Sequence, residues 1–462
     1  MKKLLLLLLM VSNQQIRAQD IIGDWYGALK IGANQLRLNL NFAKTDTGYA
    51  GKLISLDQNP MPIPMQWVKF EQQTLSFKTT MANIEYTGVL KDGLIDGIFK
   101  QSGNALPLQL GRTKIEKKTA AKRPQEPKAP FPYVSEDIEF RNEKDNISLA
   151  GTLTLPATNG KFPVVVLISG SGPQDRNEEL LGHKPFLLLA DHLTKNGFAV
   201  LRYDDRGVAK SKGNFKTATS ADFAKDVSAA VNYLKTRKEI DSKKIGLIGH
   251  SEGGLIAPMV AAESKDIAFI VLLAGPGVPG KDVISLQGAL IARAMGAAEA
   301  DIRAGGDITK ELMNIVISGK DSAIVNKDFQ AALDRNYQNL PDSVKKGSTM
   351  AAFKSQYAPL NDPWMKYFLA YDPATSLQKI KIPVLALNGS LDLQVSPSQN
   401  LPAIKAALDK AKNKKYLIRE LPGLNHLFQE TKTGLPSEYG DIEQTLSPMM
   451  LTELTDWLKK TI

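Results

Sequence analysis

The 462-residue chain contains no cysteine, which excludes disulfides, zinc–thiolate sites, thiol nucleophiles and lipid attachment through an N-terminal cysteine. The apolar stretch at residues 4–11 is far too short to cross a bilayer. Histidine is scarce, with four in the whole chain. Chemistry that needs an imidazole therefore has few candidate residues.

The first 18 residues have the pattern of a secretory signal peptide. Lys2 and Lys3 precede the short apolar core, and the segment then becomes polar and reaches Ala18. We expect cleavage after Ala18, a periplasmic or secreted mature protein, and no stable membrane span after cleavage.

Without Lys2, Lys3 and Arg17 the formal net charge falls from +10 to +7, and most of this excess lies in one connector. Between Lys114 and Lys128 there are six basic and two acidic residues, with no interleaved aromatic residues of the kind that nucleic-acid-binding faces use. We therefore expect no nucleic-acid partner. Four prolines stiffen the same region, so residues 113–132 are predicted to be a semi-rigid linker: Pro124, Pro127, Pro130 and Pro132.

Residues 19–112 are predicted to form an all-β domain. Apolar residues alternate with polar ones from Leu36 to Phe42, and Asp92-Gly93 separates two strand-like runs, which indicates a hairpin. Frequent turns favour a small antiparallel barrel or meander. The region resembles the lipocalin-like modules that precede some secreted hydrolases, which implies either a ligand-holding barrel or a module for stability or docking.

Residues 133–462 alternate between apolar strand-like runs and helical patterns, which is typical of an α/β fold with a mostly parallel sheet. An antiparallel pair opens the domain, and six buried-type strands follow, at 164–168, 198–202, 244–248, 268–273, 384–387 and 416–421. About a hundred residues with helical spacing separate Gly275 from Ile380. We expect residues 276–379 to form a helical cap over the site described next.

The segment around Ser251 has the order strand, sharp turn, helix. Gly249 and Gly253 flank the serine at the spacing Gly-x-Ser-x-Gly, and a helix-compatible run follows at once. Such a turn exposes the serine hydroxyl at the carboxyl end of a sheet, beside amides that open a helix. Ser251 is therefore a candidate nucleophile.

A serine nucleophile needs a base and an orienting acid, and both lie downstream. His426 follows the last predicted strand, whereas His183, His192 and His250 lie before the serine. Asp392 follows the strand at 384–387, between the serine and the histidine. Other carboxylates near strand ends compete with it; Asp175 and Asp205 each adjoin an arginine and are expected to brace loops through ion pairs or turn hydrogen bonds.

From about residue 135 onward, the chain resembles a bacterial α/β-hydrolase of the serine esterase type. The order Ser251, Asp392, His426 matches that family's triad. Residues 167–176 resemble its oxyanion loop and residues 202–211 a loop written Asp-x-Arg-Gly-x-Gly-x-Ser, here with Ala209 at the second glycine. The resemblance implies oxyanion amides at Glu252 and at Ser171, with Gly172 as the alternative to Ser171.

The sequence thus predicts an eight-stranded α/β-hydrolase sheet with a helical cap, preceded by a small all-β domain. The predicted reaction is hydrolysis of small-molecule carboxylic esters by Ser251, His426 and Asp392, with no cofactor or metal. A peptidase or amide hydrolase with the same triad is the alternative, and a non-enzymatic binding protein on this scaffold is a third hypothesis. No sequence feature indicates an oligomeric state.

Overall fold

The computed structural model describes residues 20–31, 34–57, 61–81, 83–101, 104–116, 121–341, 345 and 349–462. The predicted signal peptide, residues 1–18, lies outside the described residues. The chain divides into two compact units, Met1–Lys118 with Ser343–Ala352, and Thr119–Asp342 with Phe353–Ile462. The division at Lys118 falls within the segment predicted to be a linker.

The first unit contains a closed antiparallel barrel of eight strands, which confirms the all-β prediction. Each strand pairs with the next, and β1 pairs with β8 to close the barrel. The Asp92-Gly93 hairpin has positive φ at both residues, 51° and 81°, as a type I′ turn requires. The strands are β1 Gly23–Ile31, β2 Asn34–Thr45, β3 Gly48–Ser55, β4 Ile63–Glu71, β5 Thr74–Thr79, β6 Glu85–Lys91, β7 Leu94–Gln101 and β8 Asn104–Gly111.

Large side chains fill the barrel interior. Trp25, Phe42, Phe77 and Tyr86 are fully buried there, and the Phe77 and Tyr86 rings stack with centroids 5.5 Å apart. The Tyr86 hydroxyl lies within hydrogen-bonding distance of two backbone carbonyl oxygens, so this polar group is satisfied inside the core. The filled interior favours a stability or docking role for the barrel.

The second unit is built on an eight-stranded sheet in the order β16-β15-β14-β13-β11-β12-β10-β9. The β9–β10 and β10–β12 pairs are antiparallel and the other pairs are parallel, which confirms the predicted mostly parallel sheet. The strands are β9 Val134–Asn142, β10 Ile147–Leu155, β11 Phe162–Ile168, β12 Ala199–Tyr203, β13 Ile240–His250, β14 Ile267–Leu273, β15 Val384–Gly389 and β16 Tyr416–Leu421.

Both faces of this sheet are covered by helices. Along β11, Val164 and Val166 pack into one core and Val165 and Leu167 into the other, because successive side chains point to opposite faces. The helices are α1 Pro185–Lys195, α2 Ser220–Thr236, α3 Glu252–Glu263, α4 Gly280–Ala294, α5 Glu299–Val316, α6 Ser322–Asn339, α7 Met350–Tyr357, α8 Pro363–Ala370, α9 Ala374–Leu377, α10 Pro397–Lys410 and α11 Pro448–Thr461. Helices α2, α3 and α10 cover one face, and α1 and α11 the other.

Helices α4 to α9 lie between β14 and β15, as predicted for the cap. Leu312, Phe329 and Leu369, from α5, α6 and α8, are buried together in a separate core, so most apolar residues of this insertion stabilise the insertion itself. Among the described residues, no helix combines the length and apolar character that a membrane span requires.

Candidate active site

Ser251 lies at the turn between β13 and α3, with a φ of 52° and a ψ of −116°. This conformation is strained for any residue with a side chain. The flanking glycines are required by space: a Cβ on Gly249 would lie 2.0 Å from the Gly253 carbonyl oxygen, and one on Gly253 would lie 2.1 Å from that of Ile168. The Gly-x-Ser-x-Gly spacing therefore produces the predicted sharp turn.

Backbone hydrogen bonds hold this turn in place. The Ser251 amide donates to the Leu273 carbonyl oxygen of β14 at 2.8 Å, and the Gly254 amide donates to the Ser251 carbonyl oxygen at 2.9 Å. Since Glu252 is the first residue of α3, its amide has no acceptor within the helix. A donor is thus available beside the serine for a negatively charged oxygen.

Asp392 and His426 meet at the carboxyl ends of the neighbouring strands β15 and β16. The His426 Nδ1 lies 2.8 Å from the Asp392 Oδ2, and both side chains are buried. The Asp392 Oδ1 accepts the amides of Gln394 and Val395 at 2.8 and 2.9 Å, which fixes the carboxylate. This arrangement leaves the Nε2 of His426 as the ring nitrogen for proton transfer.

Ser251 and His426 line the same cavity of about 110 Å³, and Asp392 stands behind the histidine. The structure therefore brings the three predicted side chains to one end of the sheet. Ser171 also lines the cavity, whereas Gly170, its neighbour, uses its amide to donate to Glu178 at 2.7 Å. Of the two residues that the sequence left as alternatives, Ser171 and Gly172, Ser171 is the one among the residues that line this cavity.

Two features of the site have no counterpart in the sequence prediction, the buried Glu178 and its interaction with His250. The His250 Nδ1 lies 2.9 Å from the Glu178 Oε1, and its Nε2 lies 3.0 Å from the carbonyl oxygen of His426. The His250 and His426 rings are 5.0 Å apart between centroids. Glu178 lies 72 positions before His250 in a polar loop, so no local pattern connects the two residues.

Asp175 and Asp205 were expected to brace loops through ion pairs or turn hydrogen bonds, and the structure shows the hydrogen bonds. Arg176 binds Asp204 at 2.8 Å instead of Asp175, and Arg206 binds Asp226 at 2.7 Å instead of Asp205. Both arginines lie in turns and reach carboxylates 28 and 20 positions further along the chain. The turn hydrogen bonds expected as the alternative are present, since Asp175 accepts amides in its own turn.

Asp205 is buried beside the oxyanion loop. Its carboxyl group accepts the Ser169 hydroxyl at 2.8 Å and the Gln174 amide at 3.0 Å. Burial raises the pKa of Asp205 well above its usual value, and these two hydrogen bonds oppose the change only in part. Asp205 therefore holds both ends of the loop that carries Ser171.

The Glu252 carboxyl group is also buried, although only its amide was assigned a role from the sequence. Its Oε1 accepts the Ser220 hydroxyl at 2.6 Å and the indole N–H of Trp364 at 2.7 Å. Burial raises the pKa of Glu252 to about 7, against the effect of these hydrogen bonds. Trp364 belongs to α8 and stacks on Phe368, so the cap is joined to the turn that carries Ser251.

Comparison with known proteins is consistent with this architecture. The family model described as X-Pro dipeptidyl-peptidase (S15 family) matches residues 145–419. The chain is 27% identical over 330 residues to esterase EstD of Thermotoga maritima, a match that covers 70% of the chain and 69% of EstD.

Other similar proteins match a smaller share of the chain or have a lower sequence identity. The thiohydrolase apmlB of Arthrinium phaeospermum is 29% identical over 147 residues, which covers 32% of this chain and 45% of that protein. The Pyrococcus furiosus esterase Pf2001 is a solved structure with 18% identity and a TM-score of 0.41, covering 71% of this chain and 93% of that one. A likeness at that TM-score adds nothing to the assignment of the fold.

Proposed function

We propose that this chain, which belongs to the X-Pro dipeptidyl-peptidase (S15) family through the match over residues 145–419, is a serine hydrolase of carboxylic esters. Ser251 is the nucleophile, His426 the general base and Asp392 the residue that orients the imidazole. The observation that supports this assignment is the geometry: a strained serine and a histidine bound to a buried carboxylate line one cavity.

In the proposed reaction, the Ser251 Oγ attacks the ester carbonyl carbon while the His426 Nε2 accepts its proton. The alcohol then leaves with that proton, and an acyl-enzyme remains. Water, deprotonated by the same histidine, releases the acid. Asp392 keeps the N–H on Nδ1 and stabilises the imidazolium that forms, since its Oδ2 lies 2.8 Å away.

The tetrahedral intermediate carries a negative oxygen that needs hydrogen-bond donors. We assign these to the amide of Glu252, at the start of α3, and to the amide of Ser171, in the loop lining the cavity. The Gly170 amide is already occupied by Glu178 at 2.7 Å, so it is a poor donor for this purpose.

Esters are favoured over peptides by the charge of the cavity. A peptidase that removes residues from a free N-terminus needs a carboxylate to bind the ammonium group. Among the described lining residues the only carboxylate is Glu178, and its Oε1 is bound to the Gly170 amide and faces His250. The small cavity, about 110 Å³, favours short acyl groups.

Replacement of the nucleophile tests the proposal. Ser251→Ala should lower kcat for p-nitrophenyl acetate by a factor on the order of 10⁶, because the acyl-enzyme cannot form. A fluorophosphonate probe should label the native chain and not this variant. Ser285→Ala, which changes an exposed serine of α4, is the matched control. Wild-type turnover by Ser251→Ala would contradict the proposed function.

Amide hydrolysis with the same residues is the second candidate, and the S15 family match favours it. It can be separated from ester hydrolysis with matched substrates: p-nitrophenyl acetate against p-nitroacetanilide, and an X-Pro-p-nitroanilide. A higher kcat/KM on the X-Pro anilide than on the ester would assign the protein to the peptidases instead.

We also propose that the protein is exported and processed after Ala18, on the strength of the N-terminal pattern alone. N-terminal sequencing of the protein expressed in full length in a bacterial host tests this. A mature chain beginning at Gln19 is expected, and a cytoplasmic chain that retains Met1 would contradict it.

A further inference from the structure

The two ring nitrogens of His250 both face hydrogen-bond acceptors. Its Nδ1 lies 2.9 Å from the Glu178 carboxylate, and its Nε2 lies 3.0 Å from the backbone carbonyl oxygen of His426. A neutral imidazole has a single N–H, so one of its lone pairs would then point at an oxygen lone pair. With Glu178 present as a carboxylate, only the doubly protonated ring satisfies both contacts, and the ring is buried.

The partners of His250 connect three parts of the site. Glu178 also accepts the Gly170 amide, at 2.7 Å, next to the proposed oxyanion donor at Ser171. His250 itself precedes the nucleophile Ser251, and its other nitrogen binds the backbone of His426. A continuous set of hydrogen bonds therefore runs from the oxyanion loop through Glu178 and His250 to the general base.

We propose that Glu178 and cationic His250 form a positioning pair that holds the oxyanion loop, the nucleophile turn and the His426 loop in their reactive arrangement. The inference rests on the proposed function, because it assigns roles relative to Ser251 and His426. Glu178 and His250 touch no reacting atom in this assignment. They act through the groups that they hold.

The surrounding charges support a cation at His250. Burial alone lowers the pKa of this imidazole, but the charge and hydrogen bond of Glu178, the His426 carbonyl oxygen and the charge of Asp392 outweigh it and raise the pKa above its ordinary value. The other titratable groups nearby are the His426 ring and, beyond Glu178, the carboxyl groups of Asp205 and Glu252. The His426 ring is the group in contact that would oppose the cation when protonated.

The Glu178–His250 pair predicts a specific pH dependence of kcat. Activity rises as His426 loses its proton and becomes a base. It should fall again at higher pH, when His250 loses its proton and one of its two contacts becomes repulsive. Deprotonation of His426 alone would instead give a plateau on the alkaline side.

The decisive variant is Glu178→Gln, which keeps the shape of the side chain and removes its charge. We expect kcat to fall about tenfold to a hundredfold, as small displacements of reacting groups cause, with little change in KM. The alkaline fall of the pH profile should move to lower pH, because the cation loses its counter-charge. Glu179→Gln changes the exposed neighbour and should leave both kcat and the profile unchanged.

A second measurement does not depend on how the variant folds. Nitrogen-15 NMR of the histidine-labelled native protein at the pH of maximal kcat should show protons on both ring nitrogens of His250. A neutral His250 ring, or a Glu178→Gln profile that coincides with that of the wild type, would overturn the inference.

These outcomes can be told apart from failure of the proposed function. If the positioning pair is wrong and the triad is right, the native protein is still labelled at Ser251 and hydrolyses esters. If the native protein is neither labelled nor active, the proposed function itself has failed.

Discussion

At the scale of single residues, the site concentrates unfavourable conformations and buried polar groups. Ser251 has a φ of 52°, and conformations of this kind cost about 1–3 kcal/mol each. Asp205, Glu252 and His250 are all buried. These features lower the free energy of unfolding of the second unit. The hydrophobic cores on both sides of its sheet offset that loss.

The effect of a buried carboxyl group on the free energy of unfolding can be measured at Glu252. An acid whose pKa is raised on folding stabilises the fold fully below its unfolded pKa, and this contribution is lost as pH rises through the folded pKa. Between 4.5 and about 7, the native protein should lose about 3 kcal/mol of unfolding free energy relative to Glu252→Gln, at 1.36 kcal/mol per pH unit.

Urea unfolding of both proteins at several pH values checks this expectation, with Glu179→Gln as the exposed control. The glutamine introduced by Glu252→Gln retains an oxygen that can accept from Ser220 and Trp364, so the comparison isolates ionisation. A difference in stability between native protein and variant that stays constant from pH 4 to pH 8 would contradict the raised pKa.

Residues that belong to a local motif were predictable from the sequence, and residues defined by distant contacts were not. Ser251 follows from its flanking glycines, and Asp392 and His426 from their places after successive strands. Glu178 became visible only through its contacts with Gly170 and His250, which no spacing rule encodes. The ion-pair partners of Arg176 and Arg206 were not predictable for the same reason, since Asp204 and Asp226 lie 28 and 20 positions away in the sequence.

At the scale of elements, the turn between β13 and α3 depends on the close approach of three backbone segments. Gly249, Gly253 and Gly254 have no room for a side chain: a Cβ on Gly254 would lie 2.6 Å from the Gly275 Cα. Strand β13, helix α3 and the loop after β14 therefore contact one another through backbone atoms, with no side chains between them. This packing allows the helix to begin directly after the serine, at Glu252.

Alanine substitutions at two glycines should have opposite signs. Gly249→Ala should lower the free energy of unfolding by about 3 kcal/mol or more, because its Cβ would collide with the Gly253 carbonyl group at 2.0 Å. In Gly288→Ala, in α4, the added Cβ would meet no atom within 4 Å. This substitution should raise the free energy of unfolding by about 1 kcal/mol, because alanine has the higher helix propensity. Denaturant titration measures both, and equal effects at the two sites would contradict the steric explanation.

The strands and helices of the hydrolase unit were predictable because buried parallel strands are continuous apolar runs between helical patterns. The ends of these elements were harder to predict. Strand β13 begins at Ile240, whereas the apolar run in the sequence begins near residue 244. The contact of the cap with the nucleophile turn was not predictable at all. It depends on a hydrogen bond from the Trp364 indole to Glu252, two residues that are 112 positions apart in the sequence. The spacing of the aromatic residues does not show whether Trp364 makes such a contact or packs in the core of the cap.

At the scale of the whole molecule, each unit has its own core and its own hydrogen-bonded sheet, a closed barrel in the first unit and an open sheet in the second. All the proposed catalytic residues belong to the second unit. A fragment of residues 121–462 should therefore still react with a fluorophosphonate at Ser251, and a fragment of residues 20–116 should fold alone into a β-sheet protein. Circular dichroism and probe labelling test both expectations; a folded 121–462 fragment that is not labelled would contradict them.

The closed barrel limits how other chains can attach to this protein. Every one of its strands has a neighbouring strand on both sides, so most of its strand backbone is closed to an extended peptide that would bind by strand addition. In the second sheet the edge strands are β9 and β16, each with a neighbouring strand on one side only. Charged residues on these two strands, including Glu136, Arg141 and Arg419, oppose such addition and protect the chain against edge-to-edge aggregation.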